Sequence, residues 1–408
     1  MRILHLIDPG SVEVGAEALA MIADAVKRLP GHNHDVLIVA SGQWTIIARR
    51  IGLKPIGSIT PVNGRPILAR RALRNVIRRN ESVYGRYDVL HAWTLSCAAL
   101  ASCAAPNHQI VTGPVFADPK NSKLSKQKIM RLNRSAARVL CATNEIKQEC
   151  ASLGIDELLL SETSLGVDSD RIVAENRKLL RDSWGVDETT FVVGSLGNAQ
   201  VALRATTLVE QTNRNIRLIV HPHAQLRFQA TLWARRLGGD EKIIIENQYS
   251  QLWNIASGLD AAIVNTAQCN AINRSLQPNN LLSVLWLMAS GTPIIINSEH
   301  RASTFISDEK NGLLFPSSDV NTINQGLMRL IDDPTLAQQI RSASTKFVAD
   351  QFSADKLAEN LADIYQQTSR GQRVRLSTTH ANVKPPEMVK FVANSSKRTS
   401  AIIERSCC

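Results

Sequence analysis

Four places in the sequence put glycine, asparagine or histidine where a β-branched apolar run ends and a helical pattern begins. Gly15 stands in Val14-Gly-Ala-Glu17, behind the run Arg2–Ile7. Gly197 and Asn198 close the run from Phe191, His221-Pro-His223 follows Ile216–Val220, and Asn279-Asn280 precedes Leu281. Glycine lets a backbone approach a ligand closely, and a helix start offers unpaired N–H groups and the positive dipole end. At Gly15 the chemistry this suits is anion binding. A plain helix start would show the same residues at Gly15, and Asn280 also suits a helix cap. His91 lies near the end of Asp88-Val-Leu-His-Ala-Trp93. At a strand's carboxyl end it would hydrogen-bond a sugar hydroxyl or a phosphate; as a structural histidine it would find internal partners. Arg204 is a cation in the helical pattern after Gly197, either serving an anion or a solvated helix residue. His221 and His223 have no third ligand nearby in sequence, so no metal site is expected.

The elements that must position these residues read as two series. Arg2–Ile7, Asp35–Ala40, Tyr87–Ala92, Gln109–Thr112 and Arg138–Thr143 are strand-like, with helical patterns between them, the first from Gly15 to Leu29. Ser161–Asp168 reads as a polar connection. The pattern restarts with Phe191–Ser195, Ile216–Val220, Lys242–Glu246, Asp260–Asn265 and Thr292–Asn297. Three helices close it, at Asp319–Ile331, Pro334–Asp350 and Ala354–Gln367. Continuous β-branched runs separated by helices imply parallel sheets buried on both faces. The expectation is an α/β chain of two Rossmann-like, doubly wound domains facing a cleft, with ligands at the carboxyl ends of the strands. The boundaries are 1–165 for the first domain, 166–350 for the second and 351–368 for a helix crossing back. Residues 369–408, rich in Ser, Thr, Lys, Arg and Asn, read as a disordered basic tail.

At 408 residues the chain is too long for one ordinary core, and 44% hydrophobic with only 4% aromatic residues favours α/β layers over a β-sandwich. No apolar run is long enough for a membrane span, no signal-peptide pattern opens the chain, and seven scattered cysteines suit a reduced compartment. A cytoplasmic protein, peripheral at the inner face of a membrane, is expected. Cys97, Cys103 and Cys141 read as core thiols. The net charge of +11 is uneven: Arg49–Arg86 holds ten Lys and Arg against Glu81 alone, and Lys120–Arg138 holds seven with no acid. Lys123, Lys126, Arg131 and Arg134 fall on adjoining helical faces. They form a solvated face or a docking surface for an anionic membrane or acceptor. Nucleic acid is not the expected partner, because interleaved aromatics for base stacking are absent.

The stretch Ser283–Asn297 reads as a short apolar helix stopped by Gly291, with Pro293 opening a buried strand. With Leu259–Asn265 before it and Asn311–Phe315 after it, this order resembles the C-terminal half of family-4-type, retaining, GT-B glycosyltransferases. Val14–Glu17 resembles that family's Gly-Gly-x-Glu loop, and Asp88–Trp93 resembles its Asp-Val-Val-His-Ala-His strand end. The resemblance covers residues 1 to 367. It implies a metal-independent transfer of sugar from a nucleotide-sugar donor, with no other cofactor, to a lipid-linked or cell-surface glycan precursor. It implies donor contacts at Gly15, Gly197, Asn198, Arg204, His221, Asn280 and Leu281, with His91 as the catalytic candidate. The chain departs from the family where charge is needed. The paired glutamates fall on Pro278 and Trp286, and the donor-binding Arg and Lys fall on Asn198 and Leu203. Trp286 would pack in the core or stack on a base. Those departures leave a second expectation, an inactive GT-B module that binds a partner or an anionic membrane.

Overall fold

The computed structural model describes residues 1–9, 15–60, 66–116, 119–122, 124–173, 176–220, 227–236, 243–245, 251–265, 281–316 and 319–370. In the first half, strands and helices alternate as β1 (Arg2–Ile7), α1 (Gly15–Lys27), β2 (Asn33–Ile38), α2 (Gly42–Ile51), β3 (Pro55–Ser58), α3 (Pro66–Tyr84), β4 (Val89–Ala92), α4 (Leu95–Ala104), β5 (Ile110–Val115), α5 (Lys126–Ser135), β6 (Ala136–Cys141), α6 (Asn144–Ser152) and β7 (Leu160–Glu162). The seven strands form one parallel sheet in the order β3-β2-β1-β4-β5-β6-β7. The second half runs α7 (Asn176–Ser183), β8 (Phe191–Gly197), α8 (Ala199–Glu210), β9 (Ile216–Val220), α9 (Arg227–Arg236), β10 (Ile243–Ile245), α10 (Leu252–Ala256), β11 (Ala261–Asn265), α11 (Leu281–Ala289), β12 (Ile294–Asn297), β13 (Leu313–Phe315), α12 (Val320–Asp332), α13 (Pro334–Gln351) and α14 (Ala354–Ser369). Its sheet is also parallel, in the order β10-β9-β8-β11-β12-β13.

Both sheets reverse their winding once, between β1 and β4 and between β8 and β11. The segment Ser161–Asp168, expected as a connection, begins with strand residues: Leu160–Glu162 pairs with β6 as the last strand of its sheet. Three residues are too few to show a period, and the exposed hydrogen-bonding edge of β6 recruits them.

Helix boundaries follow side-chain chemistry. Asn198, Asp319 and Ser353 cap α8, α12 and α14, and Pro334 opens α13, where a missing N–H costs nothing. All nine residues of α11 are buried, because it packs against α1, α10 and α13. α1 is buried over most of its length between α2, α11 and α14. The core of the first sheet therefore runs continuously through α1, α10 and α11 to one face of the second. α14 returns to the first half of the chain. It packs on α1 and β4, with Arg28 on Asp355 and Asn360 on Ser164.

The amino end of the second sheet is tied by ions. Asp260 accepts from Arg177 at 2.7 Å, from Arg181 at 3.1 Å and from the Val192 amide at 2.8 Å. Its backbone carbonyl accepts from Arg341 of α13. Arg181 is 1% exposed, and its terminal nitrogens also donate to the carbonyls of Gly258, Asp187 and Thr190. Removing one member of such a cluster leaves a buried charge uncompensated. Asp260→Ala is expected to lower unfolding stability by about 3–5 kcal/mol in urea titrations. A loss below about 1 kcal/mol would mean that water reaches Arg181.

Candidate functional site

In doubly wound sheets the ligand crevice lies beyond the carboxyl ends of the strands, where strand order reverses. In the second sheet that place is the pair β8 and β11, with Gly197 opposite Asn265. The Asn198 amide donates to Asn265 Oδ1 at 2.8 Å, and Asn265 Nδ2 donates to the Asn198 carbonyl at 3.4 Å. Asn198 Oδ1 caps α8 by accepting from the Gln200 and Val201 amides. Gly197 has φ +119°, and a Cβ there would lie 2.0 Å from the Asn265 carbonyl oxygen. Only glycine fits this turn. On α8, Leu203 faces the core, while Arg204, one residue on, is exposed.

β12 ends beside β11, and its last residue, Asn297, accepts from the Glu299 amide. His300 follows, buried, its Nδ1 accepting from the Ala302 amide. Burial, with Arg301 adding to it, pushes the His300 pKa down to about 4. Arg301 reaches the first half of the chain and grips Glu149 of α6 through two bonds of 2.7 Å.

In the first sheet the reversal lies between β1 and β4. Gly15 opens α1, and a Cβ there would meet the Trp44 ring at 2.3 Å. Glu17 is 3% exposed, and its Oε1 accepts from the Leu252 amide at the start of α10, bridging the two halves. Burial raises its pKa to about 7. His91 on β4 is fully buried. Its Nε2 donates to the Gly113 carbonyl, so Nδ1 accepts from the Tyr365 hydroxyl of α14. Burial holds it neutral, with a pKa of about 3. Beside it runs a second chain of neutral rings. Trp93 Nε1 donates to His5 Nδ1, His5 Nε2 to His34 Nδ1, and His34 Nε2 to the Leu29 carbonyl. His91 and Trp93 stack at 4.3 Å between centroids.

The structure thus brings Gly197 and Asn198 to the reversal of the second sheet, and Gly15 and His91 to that of the first. Leu281 is a buried core residue at the start of α11, and Trp286 packs on Trp253 with no exposure. His91 is internally satisfied, so the structural reading left open for it describes its partners. His221, His223, Asn280, Pro278 and Lys123 lie outside the described residues. Lys126, Arg131 and Arg134 are exposed on α5. α4 packs between α5 and α3, on which Arg71, Arg78 and Arg79 are exposed, so the two basic runs flank one apolar helix. Cys97 and Cys141 are buried, whereas Cys103 is only half-buried and accepts from Arg131. Sequence reasoning missed Asn265, Arg301 and Glu149. A charged residue just past a strand's carboxyl end was the one available signal for Arg301.

Comparison with known proteins agrees with this architecture. Residues 20–171 match Glycosyltransferase Family 4. A stretch of 92 residues is 33% identical to the D-inositol 3-phosphate glycosyltransferase of Streptomyces bingchenggensis (strain BCW-1), covering 22% of this chain and 20% of that protein. The chain therefore spans about a fifth of the length of that curated relative. A glycosyltransferase from Rickettsia africae ESF-5 superposes with a TM-score of 0.71 at 14% identity, over 91% of this chain and 99% of that one. The Anabaena protein HepE, in complex with UDP and glucose, gives 0.71 at 15% identity, over 90% and 99%. The chain has the GT-B fold, two parallel sheets with flanking helices.

Glu17 yields a pH-dependent outcome. Its folded pKa of about 7 lies above the ordinary 4.5, so its stabilising contribution is full below pH 4.5 and is lost as pH rises through 7. Glu17→Gln keeps the acceptor for Leu252 and removes the charge. Relative to the native chain, the variant should gain about 3 kcal/mol between pH 4.5 and pH 8 in urea titrations. A difference that stays flat across that range would show that the carboxyl is solvated.

Proposed function

We propose that the chain is a glycosyltransferase that moves a sugar from a nucleotide-sugar donor to a lipid-linked or cell-surface glycan precursor, with retention and without a metal. The observation that carries this reading is the pairing of two parallel sheets, each with a winding reversal, in a chain whose residues 20–171 match Glycosyltransferase Family 4. UDP and glucose bound to the Anabaena relative support a nucleoside diphosphate as the donor's leaving group. The acceptor class, retention and metal independence come from the family resemblance. A diphosphate leaving group needs fixed positive partners as its charge develops. The start of α8 supplies a dipole, and exposed Arg204 on the same helix supplies a cation.

A second reading, an inactive GT-B module, has its own observations. Leu203 and Trp286, where relatives carry Lys and Glu, are buried in the core. A thermal-shift panel of nucleoside diphosphates and their sugars separates the two. The transferase reading expects at least one compound to raise the melting temperature, by about 2.7 kcal/mol of stabilisation at a hundredfold excess over its dissociation constant. Arg204→Ala should reduce that shift. No shift with any compound would favour the inactive module.

Among the described residues no helix is long and apolar enough to cross a membrane. Peripheral docking is the reading we favour for the basic face of α3 and α5, where exposed Ile67, Leu68 and Met130 accompany the cations. Each cation near an anionic surface contributes about 1 kcal/mol. Charge reversal at Lys126, Arg131 and Arg134 should abolish co-sedimentation with phosphatidylglycerol vesicles in low salt. Undiminished binding would leave that face as ordinary solvated surface.

A further inference from the structure

The winding reversal of the second sheet is closed by one side chain from β11. β8 and β11 run as parallel neighbours to their last residues, Gly197 opposite Asn265. Beyond that pair β8 turns into α8, and Asn265 follows the turn with its side chain. Its Oδ1 accepts from the Asn198 amide at 2.8 Å, and its Nδ2 donates to the Asn198 carbonyl at 3.4 Å. A side-chain amide thereby takes both backbone groups of one residue, as a paired strand would, one residue past the end of the ladder. Asn265 is 2% exposed and Asn198 7%, so water does not readily replace either bond. The turn has no slack. Gly197 has φ +119°, and a Cβ there would collide with the Asn265 carbonyl oxygen. The Asn198 carbonyl also accepts from the Ala202 amide at the start of α8, and its side chain caps the Gln200 and Val201 amides. The way α8 leaves the sheet is therefore set at Asn198, and Asn265 sets Asn198.

Stability alone does not call for this arrangement, because β8 and β11 are already fastened at their other end by Asp260. The carboxyl end is where an open α/β sheet takes its ligand, at the place where strand order reverses. There the neutrality of Asn265 matters. A carboxylate would take the Asn198 amide more strongly, but it would put a negative charge at the end of α8 whose dipole attracts an anion. We propose that Asn265 is a positioning residue for donor binding: it holds the Gly197–Asn198 turn in the shape that meets the donor phosphate, and its neutral amide keeps that place free of negative charge. The inference rests on the nucleotide-donor reading above and adds the residue that shapes the turn. Asn265 acts through Asn198 and Gly197, and no covalent bond changes in the step it serves.

The test is calorimetry on the full chain with UDP and, separately, with inorganic pyrophosphate, well below the melting transition of each variant. Asn265→Ala removes both bonds and should bind both probes about five- to tenfold more weakly than the native chain while remaining folded. Asn265→Asp keeps the oxygen that receives the Asn198 amide but adds a negative charge, and should bind both more weakly still. Similar losses for the two probes locate the effect at the phosphate. A residue of structural importance alone would lower the melting temperature of the variants and leave the affinity of the folded protein unchanged. Native affinity in Asn265→Ala, an Asn265→Asp that binds at least as tightly as Asn265→Ala, or a loss confined to UDP overturns the inference and leaves the donor reading standing. Asn265→Ser, too short to reach both Asn198 groups, takes the place of a variant that does not fold, and native affinity there overturns the inference in the same way. Failure of the native chain to bind either probe overturns both.

Discussion

The second half of the molecule depends on how one carboxylate, Asp260, distributes itself at the amino edge of its sheet. One oxygen faces Arg177, and the other serves Arg181 and the Val192 amide, so α7, β8 and β11 are fixed to a common point. Arg341 adds α13 through backbone carbonyls of Asp260 and Gly291. A charge as enclosed as Arg181 is tolerated because both of its terminal nitrogens meet acceptors. The ionic fastening sits at the end of the sheet opposite the crevice. The carboxyl edge is therefore relieved of that role and can carry turns shaped by asparagine and glycine. Stability and recognition are divided between the two ends of the same strands.

The sheets were legible in the sequence where the apolar runs are long. Arg2–Ile7 is bounded by Asp8-Pro9 and has the same limits in the structure, and Pro334 marks the start of α13 in both. Two edge strands of the first sheet, β3 and β7, were not, having only four and three residues, whereas the edge strand β10 was expected at Lys242–Glu246. They exist because a neighbouring strand offers unpaired backbone groups, a property of the sheet and not of the segment. The site was legible only as positions. Gly197 needed its glycine for a reason visible in φ, and the Asn198 side chain serves the local cap of α8, but the residue that fixes the Asn198 backbone, Asn265, is 67 residues away. Likewise Glu17 meets Leu252 across 235 residues and Arg301 meets Glu149 across 152. Pairings at such separation leave no periodic trace in a single sequence.

The departures from the family pattern have a physical unity. Leu203 and Trp286 stand where the family resemblance leads one to expect charge, and both are absorbed into apolar packing, Trp286 against Trp253. Trp253 in turn faces Arg171, which forks onto Asp24 of α1. Trp286, Trp253 and Arg171 form a seam that joins α11 and α10 to the first half of the chain. Cations have been retained on Arg204, on Arg301 and on the outer helices α3 and α5, all of them at least partly open to water.

The bond between His91 and Tyr365 has a consequence for the order in which the protein can be made. His91 belongs to a central strand of the first sheet, yet its Nδ1 acceptor is satisfied by a hydroxyl 274 residues later. The face of α1 that α14 covers is exposed for the same interval. At a synthesis rate of about 5–20 residues per second, the ribosome needs about 10–40 seconds to travel from the last strand of the first sheet to Tyr365. During that time the N-terminal half emerges with a polar atom and an apolar stripe lacking their native cover. Only α14, made after both sheets, seals the first domain that was begun.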